Sequence, residues 1–154
     1  EKHAKQGRAS IPFAKMFSGG GYDFSYSGLK TAVINYCHNM EQKGENYSKA
    51  DVAASFQSAA CGALAERAVA AAKKKGAAAV VAGGGVAANG YLRELLANEC
   101  AKAGLKLVLP EKKFCTDNAA MIAAEGLIQY RAGNFAELSL NACAHIPLGK
   151  KGKQ

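Results

Sequence analysis

The sequence predicts an α/β protein, because short apolar runs alternate with stretches of helical periodicity and glycines stand at the junctions. Two apolar runs, at residues 77–82 and 105–109, have the length and the valine and leucine content of buried parallel strands. Residues 89–103 lie between them and carry leucines at helical spacing. The order strand, glycine turn, helix, strand is that of a βαβ unit, for which a right-handed crossover is expected.

Two further helices and a first strand are predicted before this unit. Residues 22–27 alternate aromatic with small polar side chains, which is typical of a half-buried strand, and residues 29–40 then read as a helix. Ser48 with Asp51 three residues later forms a capping box, so a long helix is expected to begin there and to end at Gly76.

Glycines and charged residues indicate how the two ends of the chain are organised. Residues 1–6 resemble the tail of a helix, and residues 10–22, with their glycine triplet, predict a flexible connection. A last helix is expected over about 117–131. We therefore divide the chain into residues 1–47, a connecting and insertion segment that carries the SGLKT block; residues 48–148, a nucleotide-binding α/β lobe; and residues 149–154, a basic tail.

The composition of the 154 residues narrows the class of protein. Five cysteines occur without a C-x-x-C pair, which favours buried free thiols, for example at Cys61 and Cys100, and a cytoplasmic location. No apolar run reaches the ~18 residues of a membrane-spanning helix. The formal charge of +8 is compatible with a phosphate-bearing partner but is also found in proteins without one. Because Glu1 is not a methionine, we expect the chain to begin inside a longer protein.

The first candidate site is the glycine turn Gly83, Gly84 and Gly85 with Asn89 behind it. Three glycines after a strand bring bare backbone close to a ligand, and the N-terminus of the next helix adds unpaired N–H groups. In open α/β sheets ligands bind at this end of the strands. The turn is neither G-x-G-x-x-G nor a Walker loop. It can equally be a tight connection, and Asn89 can simply cap its helix.

The second candidate is Asp117, which follows the second strand and should face the same cleft. Taken alone it reads as the N-cap of the last helix, or as a carboxylate ligand to a metal ion that bridges a phosphate. Serines 25 and 27 beside Lys30 do not form a G-x-S-x-G elbow. The three histidines are dispersed and form no H-E-x-x-H motif, so neither a Ser-His-Asp hydrolase nor a zinc protease is supported, and no catalytic residue is assigned.

Four blocks together resemble the TsaD family, also labelled YgjD or Gcp, in its bacterial and organellar form. They are FSYSGLKT at 24–31, DVAASFQ at 51–57, AGGGVAAN at 82–89 and CTDNAAMIA at 115–123. The resemblance implies the C-terminal half of an actin-like ATPase fold of the hexokinase and chaperone (ASKHA) type. It also implies transfer of threonylcarbamoyl from threonylcarbamoyl-adenylate to N6 of adenosine 37 in tRNAs that read ANN codons.

By this resemblance the glycine turn and Asn89 hold the adenine nucleotide, and Asp117 is one ligand of an Fe or Zn ion. The family's other metal ligands are a His-x-x-x-His pair in its N-terminal part, which this sequence lacks. Family members act on tRNA together with a smaller paralogous subunit and an ATPase partner. We therefore expect the chain by itself to be an incomplete half-site that binds metal weakly and self-associates through uncovered apolar surface.

Three other functions are weighed against this one. The family once carried an O-sialoglycoprotein endopeptidase label, but the sequence has no H-E-x-x-H motif and no water-activating glutamate to support a metalloprotease. A non-catalytic binding or assembly module is the second alternative. A sugar kinase of the same superfamily is the third, and the four blocks are not those of kinases.

Overall fold

A computed structural model of the chain describes residues 1–13 and 21–142. It contains the helices α1 (Tyr26–Gln42), α2 (Lys49–Lys74), α3 (Gly90–Lys102) and α4 (Ala119–Arg131) and the strands β1 (Ala79–Val81) and β2 (Lys106–Val108). The same ranges contain three short 3-10 helices: Ala4–Gln6 precedes α1, Gly85–Ala88 lies between β1 and α3, and Lys112–Phe114 lies between β2 and α4. Most of the connection predicted at 10–22 and the whole basic tail fall outside the described residues. The chain divides into two compact units, Glu1–Thr116 and Asp117–Gln154.

Helix α2 is the element on which the first unit is assembled. It packs against α1, α3, β1 and the N-terminal 3-10 helix. Its buried positions are almost all small side chains, among them Ala60, Ala63, Ala65 and Ala72. Alanine favours helix and adds little width, so the neighbouring elements can approach the helix axis closely. The alanine-rich composition therefore has a direct structural use.

The predicted βαβ unit is present. Strands β1 and β2 are parallel neighbours, with Val80 opposite Leu107, and α3 connects them. Val80 is buried against Val69 and Ala72 of α2 and against Cys100 of α3. One face of the small sheet therefore rests on the two helices, as the apolar runs indicated.

The prediction that these strands are buried throughout is wrong for the other face. Val81 and Val108 are paired in register, yet 74% and 40% of their surfaces are exposed. A parallel sheet is normally covered on both faces. The apolar runs predicted that both faces of the sheet are buried, but α2 and α3 cover only one face.

The strand predicted at residues 22–27 is also wrong. Only Phe24 makes an isolated bridge, and α1 already begins at Tyr26, after Ser25 in extended conformation. The alternation of aromatic and polar residues leaves Tyr22, Phe24 and Tyr26 at the surface, between 37% and 42% exposed. A segment with period-2 alternation forms a half-buried strand only where it can pair with a sheet and pack its apolar side on a core. Here the rings of Phe24 and Tyr22 instead lie near the cationic groups of Arg67 and Lys74.

The signals at the ends of the long helix are confirmed. The side chain of Ser48 accepts a hydrogen bond of 3.1 Å from the N–H of Asp51, and the helix stops before Gly76, which has a φ of +63°. Cys61 and Cys100 are buried free thiols, and burial raises the pKa of both. None of the helices in the described ranges is long and apolar enough to cross a membrane.

A close approach fixes the N-terminal segment on α2. A side chain at Gly7 would place its Cβ 2.1 Å from the carbonyl carbon of Ala50, so only glycine fits there. Next to it, Asp51 accepts a hydrogen bond from the N–H of Arg8 at 2.8 Å, and the buried hydroxyl of Ser55 accepts one from Ile11 at 3.0 Å. Asp51 thus uses its carboxylate on the N-terminal segment.

Replacement of Gly7 by alanine is expected to lower the free energy of unfolding by about 1–3 kcal/mol, because the added methyl group forces the backbones apart. The matched control is Gly62→Ala in the interior of α2, where an added Cβ meets nothing within 4 Å. That change should leave stability equal or raise it by up to ~1 kcal/mol through helix propensity. Urea unfolding of both variants measures the difference, and equal midpoints would contradict the close contact.

Candidate functional site at the carboxyl end of the parallel strands

The glycine turn follows β1 directly and exposes its backbone. Gly84 has a φ of +85°, a conformation that L side chains rarely adopt, and all three glycines are exposed. An added Cβ at Gly83 or Gly84 would meet no atom within 4 Å, so open space lies over the turn. The helix does not begin at once, because the 3-10 helix Gly85–Ala88 intervenes before α3.

Asn89 is the N-cap of α3, as one of its two predicted roles required. Its Oδ1 accepts a hydrogen bond of 3.0 Å from the N–H of Leu92. Its Nδ2 donates to Oε1 of Gln57 on α2 at 3.1 Å. An amide nitrogen carries two hydrogens, so one remains for a ligand while the cap persists. Capping and ligand binding by Asn89 are therefore compatible.

The N-terminus of α3 holds a carboxylate in this structure. The N–H of Gly90 donates to Oε2 of Glu1 at 3.2 Å, and Lys5 pairs with the same carboxylate at 3.0 Å. These bonds, first that of Lys5 and then that of Gly90, lower the pKa of Glu1. The helix end thus accepts an anion, as its unpaired N–H groups and positive dipole end predict.

A cavity of about 480 Å³, with a mixed polar and apolar lining, adjoins this helix end. Its lining includes two lysines, Lys5 and Lys112, and two glutamates, Glu1 and Glu94, so the formal side-chain charges of the cavity balance. Gln57 and the Tyr91 side chain supply neutral polar groups. Small-molecule sites commonly have this size.

Arg93 ties the turn to the end of the second strand. Its guanidinium donates to the carbonyl of Ala87 and to the carbonyl of Pro110, both at 2.9 Å. The same group lies 3.9 Å from the sulfur of Cys115. Only a planar fork with several N–H groups can satisfy acceptors in these directions at once. Arg93 therefore links the glycine turn to the end of β2 and holds the two segments together.

Gln57 and Arg93 are therefore the residues that the sequence pattern missed. A signal for Arg93 was present, since it stands four residues after the cap Asn89 and so points back over the same turn. Gln57 lies in one of the four quoted blocks, yet its partner Asn89 is 32 positions away. Helical spacing within one segment cannot indicate such a contact.

The second candidate block begins beside the glycine turn. Thr116 approaches Gly85, whose Cβ position would lie 3.8 Å from the Thr116 methyl group. Asp117 then opens the second compact unit. The helix-cap role considered for Asp117 is wrong, because Asn118 is the N-cap of α4 and accepts from the N–H of Met121 at 3.0 Å. Asp117 is exposed, so its carboxylate is not used up by the helix end.

A metal site is not completed within residues 1–13 and 21–142, where no three His, Cys, Asp or Glu side chains come together. A transition metal needs about three or four such ligands, so the side chains of these residues do not form a self-contained metal site.

These features define an α/β protein with an exposed glycine turn and a capped helix at the carboxyl end of a parallel strand. The profile of the TsaD family, described as tRNA N6-adenosine threonylcarbamoyltransferase, matches residues 1–124. The chain belongs to this family, and the family predicted from the four blocks is confirmed.

Curated relatives agree with this assignment. A tRNA N6-adenosine threonylcarbamoyltransferase of Clostridium perfringens is 43% identical over 98% of the chain and 45% of its own length. The proteins of that name from Lactobacillus delbrueckii subsp. bulgaricus and Moorella thermoacetica are 47% and 45% identical, over 92% and 96% of the chain and 42% and 44% of their own lengths. The chain thus spans less than half the length of the curated relatives that it matches.

Replacement of Arg93 by lysine is expected to lower the free energy of unfolding by about 1–3 kcal/mol, since a single ammonium cannot reach both carbonyls. Arg131→Lys, at an exposed position of α4, makes the same chemical change and should be neutral. Urea unfolding compares the two variants. Hydrogen exchange at the amides of Ala87 and Asn89 should also become faster in Arg93→Lys but not in Arg131→Lys. Equal stability and equal exchange rates in the two variants would show that Arg93 does not stabilise the turn.

Proposed function

We propose that the chain is the nucleotide-binding part of an enzyme that transfers threonylcarbamoyl from threonylcarbamoyl-adenylate to N6 of adenosine 37 in ANN-decoding tRNAs. The observation that carries this proposal is the exposed glycine turn, with its cap Asn89, in a chain of the TsaD family. The finer fold that the family implies, the second half of an actin-like ATPase, belongs to the same proposal. The chain's small parallel sheet, covered on one face, is compatible with such a half.

In this proposal Gly83, Gly84 and Gly85 and the free hydrogen of the Asn89 amide contact the adenine nucleotide. Bare glycine backbone admits a phosphate or the adenine ring at close range. The N-terminus of α3, where the N–H of Gly90 donates to Glu1 in this structure, favours the negative charge of a phosphate that displaces this carboxylate. Gln57 fixes the Asn89 amide through its 3.1 Å hydrogen bond, and Arg93 keeps the turn in place. These residues bind and orient the nucleotide.

Asp117 is proposed as one ligand of an Fe or Zn ion whose other ligands come from outside this chain. Such an ion, when bound, supplies a Lewis acid that polarises the adenylate. One carboxylate holds a transition metal only weakly, so we expect little metal binding by the chain alone. tRNA, a smaller paralogous subunit and an ATPase partner are the proposed partners.

Asn89→Asp tests the nucleotide site without disturbing the helix end, because aspartate caps helices as well as asparagine. The change removes the Nδ2 donor and places a negative charge beside the turn. Binding of ADP or AMP, measured by isothermal titration, should weaken about tenfold or more, which corresponds to ~1.4 kcal/mol. Asn98→Asp makes the same change on an exposed position of α3 and should leave affinity unchanged. Equal affinities in both variants would remove Asn89 from the site.

A chimera tests the activity and the role of Asp117. The chain replaces the matched segment of the Clostridium perfringens relative, and threonylcarbamoyladenosine is measured in tRNA by mass spectrometry. The chimera should form the modified nucleoside, and Asp117→Ala should abolish this activity with little effect on folding, since Asn118 caps α4. Undiminished modification by Asp117→Ala would exclude the metal role. Proteolysis that is lost with Asp117, without tRNA modification by the chimera, would favour the metalloprotease.

A further inference from the structure

An apolar groove lies between α1 and the first two turns of α2, and none of the nucleotide-site residues lines it. Its volume is about 630 Å³. The side chains that line it come from two helices only: Tyr26, Ser27, Lys30, Val33, Ile34, Lys49, Val52, Ala53 and Phe56. The helices therefore hold open a surface that the functional site described above does not use.

The charge of the groove is positive. Lys30 of α1 and Lys49 of α2 lie on opposite helices, and the lining holds no aspartate or glutamate. Asp51 is close in sequence, but its carboxylate accepts from the N–H of Arg8. An occupant of this groove is therefore expected to bring apolar or aromatic surface to the floor and negative charge to the two lysines.

Exposed aromatic rings surround the groove and extend from it. Phe56 and Tyr26 are 41% and 42% exposed at the groove itself. The ring of Phe24 lies 6.2 Å from that of Tyr26, and the exposed ring of Tyr22 stands two positions earlier in the chain; we call Tyr22, Phe24 and Tyr26 the aromatic row. Neighbouring exposed apolar rings of this kind are typical of interaction surfaces.

Cations accompany these rings. The guanidinium carbon of Arg67 lies 5.8 Å from the centre of the Phe24 ring, and the ammonium of Lys74 lies 5.8 Å from that of Tyr22. Asp23 is the negative residue within this row. This surface thus combines aromatic rings with the positive charges of Lys30, Lys49, Arg67 and Lys74, against the negative charges of Asp23 and the neighbouring Asp51.

This combination favours unpaired nucleotides over a protein helix as the occupant. Proteins that bind single-stranded nucleic acid stack bases on exposed aromatic rings and place cations along the phosphates. A helical protein partner would match the apolar floor but would leave the row of cation-bearing rings outside the groove unused. We propose that the groove and the aromatic row bind unpaired nucleotides of an RNA, with bases on Tyr26 and Phe56 and phosphates at Lys30 and Lys49. The identification of this RNA as tRNA rests on the proposed function.

The first test measures binding of a fluorescently labelled anticodon stem-loop RNA to the chain by anisotropy at several salt concentrations. Lys30→Gln with Lys49→Gln removes two phosphate contacts, so affinity should fall about tenfold and the slope of log K against log salt should become shallower by about 1.4. The control pair Lys102→Gln with Lys106→Gln removes the same charge from exposed positions of α3 and β2. Equal losses of RNA affinity in the two pairs of variants would show that only net charge matters and would overturn the proposal that RNA binds in the groove.

The second test separates stacking from charge. Tyr26→Leu keeps the apolar contact but removes the ring face, and RNA affinity should fall about fivefold or more. Tyr130→Leu makes the same change at an exposed position of α4 and should have no effect. Unchanged RNA affinity in Tyr26→Leu would overturn the proposal and would leave an acidic amphipathic protein segment as the occupant to be tested. Circular dichroism of each variant checks that it is folded.

ADP titration of the same variants distinguishes this inference from the proposed function. The groove variants should bind ADP normally, since the groove contains neither the glycine turn nor Asn89. If the groove variants bind RNA as the unchanged chain does, while ADP binding depends on Asn89, the inference is overturned and the proposed function stands. Groove-dependent RNA binding in a chain that does not bind ADP would support the inference and refute the nucleotide site.

Discussion

The close approach that alanine permits along α2 is the constraint on which the first unit depends. Buried positions of this 26-residue helix carry alanine, serine, cysteine or valine, and three separate hydrophobic clusters form along its length. Small side chains give each contact little apolar area, so stability comes from many short-range contacts. The closest such approach is at Gly7, whose backbone lies directly against the backbone of Ala50 in α2.

The packing of α2 also sets the geometry of the site. Leu92 and Leu96 of α3 pack on Cys61 and Ala65 of α2, and this contact brings Asn89 within hydrogen-bonding distance of Gln57. A bulkier side chain on α2 would move α3 outward and break that bond. The amide that caps α3 is thus oriented by the same helix that forms the core.

Some parts of the candidate site are complete in this chain, whereas one face of the neighbouring sheet is uncovered. A glycine turn, a helix N-terminus and an arginine brace are complete in the first unit. Val81 and Val108 present an uncovered apolar face of the sheet, which fits a chain that spans less than half the length of its relatives. The groove between α1 and α2, in contrast, is closed on its floor by this chain alone.

The sequence by itself determined the βαβ order, the ends of the long helix α2, the start of α3 and the family. These depend on local chemistry: Ser48 and Asn89 cap the residues just after them, glycine ends helices, and apolar spacing follows the period of each element. The turn of Gly83 to Gly85 could be predicted for the same reason. The position of the last cap was missed by one residue, because Asp117 and Asn118 are both good N-caps and their sequence does not choose between them.

Tertiary structure decided the rest. Alternation at residues 22–27 predicted a strand, but a strand needs a neighbouring strand, and these rings instead lie at the surface beside Arg67 and Lys74. Whether a β face is covered, which acceptors Arg93 reaches and which side chain holds the Asn89 amide all depend on segments far apart in the chain. Local periodicity carries no information on such contacts, because they arise only when separate elements pack together.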